Sequence, residues 1–131
     1  MLRFVALVSG LYDLLVGALL LLAAPQLAAA FGSPPITPPV FGDTNALFLI
    51  CVGLGYLLPY RDPARWRGYL WIMGPVLKSG GALVFLRDYW LRGSPASFLL
   101  FAATDGALAL WTLVALLREP RVLPENGGTS G

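Results

Sequence analysis

The sequence predicts an all-α membrane protein: an up-down-up-down bundle of four transmembrane helices with both termini cytoplasmic. Three observations predict it. First, 57% of the 131 residues are hydrophobic and 12% are charged, about half the charge of an ordinary soluble domain. Second, the apolar residues gather into four stretches of about 20 residues, the length that crosses a hydrocarbon core of about 30 Å. Third, the arginines near the stretch ends divide unevenly, with Arg3, Arg61, Arg65, Arg67, Arg118 and Arg121 on one side and Arg87 and Arg92 on the other. The richer side is read as cytoplasmic.

The first span covers residues 2–24 and stops at Pro25. Asp13 at its centre, and its length, set it apart from a cleaved signal peptide despite Arg3 before it and Ala28, Ala29 and Ala30 behind. Residues 25–42 hold five of the eleven prolines and no charge. A helix cannot run through them, so residues 26–31 read as a short interfacial helix and PPITPP as extended chain. The segment serves as a rigid connector or as a lid.

The second span, residues 43–58, is short and is closed by Pro59. Its start after Gly42 makes Asp43 or Thr44 a candidate N-cap, and Cys51 between Ile50 and Val52 reads as a packed core thiol. The third span covers residues 68–85 and the fourth residues 96–117, joined to their neighbours by short polar turns that favour antiparallel packing. Tyr60, Trp66, Trp71, Tyr89 and Trp90 fall near span ends and read as interfacial anchors. Residues 1–122 form the single domain, and the tail over 123–131, ending ENGGTSG, is flexible in composition.

Three mid-span charges carry the functional signal. Asp13 lies about 16 Å along the first span, Lys78 about 15 Å along the third and Asp105 about 14 Å along the fourth at 1.5 Å per residue. A charge facing hydrocarbon costs roughly 2.5 to 3.5 kcal/mol on insertion scales, so the three must face one another or a wet cavity. Helical spacing puts Asp13 on a small-residue face with Ala6, Ser9, Gly10 and Gly17. Lys78 shares a face with Gly74, Pro75, Gly81, Ala82 and Phe85, while Asp105 aligns with Phe101, Ala102, Leu108, Ala109 and Thr112. On the second span Asn45, Phe48, Val52 and Tyr56 align.

The candidate ligand-binding residues are therefore Asp13, Lys78 and Asp105, with Tyr12, Asn45 and Tyr56 beside them. Two acids and one base leave a formal −1, which a proton, a cation or an outside partner must balance. Gly74-Pro75 weakens the helix one turn before Lys78 and frees a carbonyl there.

Other chemistries are set aside by composition. The chain has no histidine and one cysteine, which disfavours haem, imidazole metal sites and thiol redox pairs. It carries no catalytic or phosphate-binding motif, so no residue is assigned as catalytic and no metal is expected. Its basic residues sit in loops without interleaved aromatics, which argues against nucleic acid.

Four short spans, an arginine just before the first, Gly10 and Gly17 within it and a charge inside the third resemble the DoxX-like group of small bacterial membrane proteins. That resemblance implies a four-helix bundle in the bacterial inner membrane, in some members a subunit of a quinone-linked complex. Size and an acid in the first helix are also similar to the small multidrug resistance transporters, which work as dimers around a membrane-embedded carboxylate. Lys78 and the surroundings of Asp13, SGLYDLLVG, depart from that pattern.

The resulting function reading is a membrane protein that holds a lipophilic molecule, such as a quinone or lipid, at the charged cluster, alone or with a partner subunit. The alternatives are a proton-coupled or ion transporter, working as a homodimer around Asp13, and a scaffold locked by a buried salt bridge.

Overall fold

The computed structural model describes residues 1–121. All regular structure among them is helical. Four helical stretches, Leu2–Leu22, Val40–Arg61, Arg67–Arg92 and Ala96–Arg118, are long and apolar enough to cross a membrane. The tail over residues 123–131 lies outside the described residues.

Helix α1 is Leu2–Leu22 and is followed by the short α2, Ala24–Ala30. Pro25 occupies the first turn of α2, where its missing N–H would be unbonded in any case. Gly32, at φ +67°, ends that helix. The Ser33 amide bonds the Ala28 carbonyl at 2.9 Å and the Gly32 amide bonds the Ala29 carbonyl at 3.1 Å, a Schellman closure that needs the left-handed glycine.

Helix α3, Val40–Gly55, starts directly after Pro39. This corrects the expected cap: Asp43 lies within the first turn, and the Thr44 hydroxyl donates to the Val40 carbonyl at 2.7 Å instead of receiving an amide. Pro39 already holds helical angles, φ −56° and ψ −27°, so the helix begins at the last proline, and Asp43 acts on the positive end of the helix dipole. The helix breaks at Tyr56 and resumes as α4, Leu57–Arg61. Pro59, expected to end the span, falls in the first turn of α4 and is tolerated there.

Helix α5, Arg67–Trp71, passes through a π-helical segment, Ile72–Val76, into α6, Leu77–Arg92. Pro75 inside that segment is the reason for the widened turn, since it has no amide to continue the α pattern. Gly93, at φ +69°, stops α6, and a 3₁₀ turn, Ala96–Phe98, leads into α7, Leu99–Arg118.

The tightest contact is between α1 and α3. A Cβ placed on Gly10 would stand 3.1 Å from the Gly53 carbonyl oxygen, and one on Gly53 would stand 2.9 Å from the Gly10 carbonyl oxygen. The two backbones approach closely there, with Tyr56 and Leu14 packed beside the glycines, the arrangement that holds helices together when lipid removes the hydrophobic incentive. Toward the chain ends, Leu2, Val5, Ala6, Tyr56, Leu70, Ala115 and Leu116 form one buried cluster. The Arg67 guanidinium closes it by donating to the Leu116 carbonyl and, at 2.5 Å, to the Glu119 carbonyl. The Met1 ammonium pairs with Glu119 at 2.9 Å.

Two side chains face away from where their sequence neighbours suggested. Cys51 is exposed, because α3 turns Ala46, Val52 and Gly53 inward and leaves Cys51 about 100° away from Val52. Phe48 is half exposed, although it lies on the same helix face as Val52.

Candidate functional site

The three mid-span charges resolve into a pair and a separate acid. Lys78 on α6 donates to Asp13 on α1, with Nζ 2.7 Å from Oδ1. Both are almost wholly buried, at 4% and 2% exposure. Isolated charges in such a place are strongly unfavourable, and mutual neutralisation is what lets them stay. The Lys78 ammonium also stands over the Tyr12 ring, 5.3 Å from its centroid.

Asp105 on α7 takes no part in any ion pair among the described residues. Its carboxylate lies against the bare backbone of Gly81, where a Cβ would come within 3.0 Å of Oδ2. Gly81 is three residues beyond Lys78, so Asp105 sits about one turn further along the face of α6 that carries the ammonium.

Above this cluster is a cavity of about 330 Å³. Tyr12, Asp13 and Asp105 form its polar floor. Leu27 and Ala28 of α2, with the chain after it, close one wall, and Asn45 and Leu49 of α3 stand opposite. Phe31, Phe85, Phe98 and Phe101 complete the lining. These rings are stacked, Phe31 on Phe101 at 4.8 Å between centroids and Phe85 on Phe101 at 5.3 Å. The Ser97 hydroxyl donates to the Phe31 carbonyl at 2.6 Å, holding the connector against the start of α7. A second, more open groove of about 200 Å³ runs between α1 and α7 and shares Tyr12, Val16, Leu27, Phe31 and Phe101 with the cavity.

The Tyr12 and Thr104 hydroxyls share a 2.6 Å hydrogen bond in which either can donate, and the Thr104 hydroxyl also stands 3.0 Å from the Leu100 carbonyl and 3.2 Å from the Phe101 carbonyl.

Of the six residues singled out from sequence, Tyr12, Asp13, Asn45 and Asp105 line the cavity. Lys78 lies beneath it, bound to Asp13. Tyr56 is elsewhere: it is 1% exposed in the cluster near the chain ends, packed edge-on to Tyr69 at 5.2 Å. Its hydroxyl, the Ser9 hydroxyl and Asp13 Oδ2 are buried without hydrogen-bond partners.

The aromatic lining was only half visible in the sequence. Phe98 and Phe101 are three apart, and Phe101 and Asp105 four apart, which places them along one face of α7. Phe31 carries no such signal, since its position depends on how the connector folds back. Comparison with protein families, curated proteins and solved structures finds no match for this chain, so the reading of the site rests on its own geometry.

Proposed function

We propose that this is a small integral membrane protein that binds a lipophilic molecule, its polar end on the carboxylates of Asp13 and Asp105 and its apolar body against the phenylalanines. The observation that carries the reading is the cavity running from the stacked rings down to two mid-span acids. A structural lock would need no such space, whereas ligand sites are apolar clefts of this size with a few converging polar groups. The groove between α1 and α7 gives a longer tail an apolar path toward lipid.

Our reading of the chain is an up-down-up-down bundle in the bacterial inner membrane. The Arg67 end, with Met1 and Glu119, faces the cytoplasm, as the arginine distribution favours. The cavity then opens in the outer half. The protein acts alone or as an accessory subunit, and the resemblance to DoxX-like proteins favours a quinone-linked complex for the second case.

A proton-coupled transporter is the second reading. Its support is the unpartnered hydroxyls of Ser9 and Tyr56, which continue the polar line from Asp13 toward the chain ends.

Mass spectrometry of the mildly solubilised protein beside an Ala28→Phe variant tests the first reading. Filling the cavity leaves every charge in place. A lipophilic molecule retained by the natural sequence and lost from the variant is the expected result, and equal or absent retention in both overturns it.

A further inference from the structure

We infer that the cavity selects a lipophilic organic cation, an amine carried as its ammonium, over neutral carbonyl compounds and anions. This rests on the binding role proposed above and adds the chemical class of the ligand. The argument is a census of what the cavity wall offers.

Two carboxylates face the cavity, and neither lysine nor arginine lines it. Lys78, the base of the cluster, is spent on Asp13 and lies outside the lining. Asp105 has no ion-pair partner, and Asp13 keeps Oδ2 without a hydrogen bond while being 2% exposed. The neutral hydroxyls are already engaged: those of Tyr12 and Thr104 bond each other at 2.6 Å, and that of Ser33 donates to the Pro34 carbonyl at 3.0 Å. What remains is a set of acceptors with one amide, Asn45, at the wall.

A ligand carbonyl would find one amide, Asn45, against two carboxylates, and an anion would meet two acids. An ammonium supplies the missing donors and brings the cluster's formal charge from −1 to zero. The four phenylalanines suit the same ligand, because aromatic rings attract cations and pack hydrocarbon equally well.

The test uses three probes that share one rigid apolar body, measured by equilibrium binding to the protein in zwitterionic-lipid nanodiscs and corrected for uptake by empty nanodiscs. They are 1-adamantylammonium, its neutral isostere 1-methyladamantane, and the carbonyl acceptor 2-adamantanone. The natural protein is expected to bind the ammonium at least tenfold more tightly than either neutral probe. Asp105→Asn should erase that preference and Asp105→Glu should keep it.

If a neutral probe binds as tightly as the ammonium, and Ala28→Phe blocks it, the cation assignment is overturned while the lipophilic-binding role stands. If no probe binds beyond the level of empty nanodiscs, both fall. Should Asp105→Asn fail to fold, the ranking of the three probes on the natural protein still decides.

Discussion

The two halves of the bundle are built on opposite plans. Near the chain ends, α1, α4, α5 and α7 close on Val5, Tyr56, Leu70 and Leu116, each less than 2% exposed, while α1 and α3 keep close backbone contact in both halves, at Gly10–Gly53 and at Gly17–Ala46. In the other half the connector and the stacked phenylalanines hold the helix ends around an open cavity. The Asp13–Lys78 pair lies where the two meet. Small residues let helices close until nothing fits between them. Prolines and large rings keep them apart, so a single short chain carries both a rigid base and a receptive mouth.

The largest expected effect lies at the boundary. Lys78→Met leaves Asp13 buried without its partner and is expected to cost about 3 to 5 kcal/mol of stability. Combining it with Asp13→Asn should recover roughly 1 to 3 kcal/mol of that loss, the coupling energy of the pair. Unfolding in mixed micelles measures both, and equal losses for the single and double variants would show that the pair does not bind the halves together.

Gly53→Ala sharpens the contrast inside the closed half. Its methyl would stand 2.9 Å from the Gly10 carbonyl oxygen, an overpacking expected to cost about 1 to 3 kcal/mol. Gly80→Ala is the control: nothing lies within 4 Å of a Cβ there, so a thermal melt should be unchanged or slightly raised. If the two variants melt together, the α1–α3 contact is looser than described.

Arg67→Met comes next. It removes the side-chain donors that cap the last carbonyls of α7, with an expected loss of about 1 to 2 kcal/mol. Hydrogen exchange should report it as fraying at the end of α7 while the cavity half keeps its protection. Fraying that spreads to Phe101 and Asp105 would mean that the base does not fold independently of the mouth.

The smallest effect is at Glu119. The hydrogen bond from the Met1 ammonium holds its carboxyl below the ordinary range, against an opposing effect of burial. A lowered folded-state value means that the bond stabilises fully above the ordinary carboxylate range and loses that contribution as pH falls through the lowered value. The pair is partly exposed, at 31% and 44%, so about 0.5 kcal/mol or less is expected. Stability measured from neutral to acidic pH should show this extra loss in the natural chain and not in Glu119→Gln.

Composition and local chemistry determined the class of the protein. Apolar runs of span length, the lone mid-span charges and the small-residue face around Asp13 follow from the chain alone, because a buried charge needs a partner and a helix repeats every 3.6 residues. The short interfacial helix was legible from its prolines, although it starts at Ala24 and takes Pro25 into its first turn.

What periodicity could not supply was the relation between elements. It aligned Asn45 with Tyr56 on one face, and the fold gives the first to the cavity and the second to the closed base, since the two lie about 16 Å apart along the helix axis. It grouped Asp105 with Lys78 and Asp13 by depth alone. Only the tertiary structure pairs Lys78 with Asp13, seats Asp105 against Gly81 and brings Phe31 back over the start of α7. Depth in a bilayer is a property of one helix, read from its own sequence, whereas the choice of partner depends on helix rotation and crossing, which every contact in the bundle sets together.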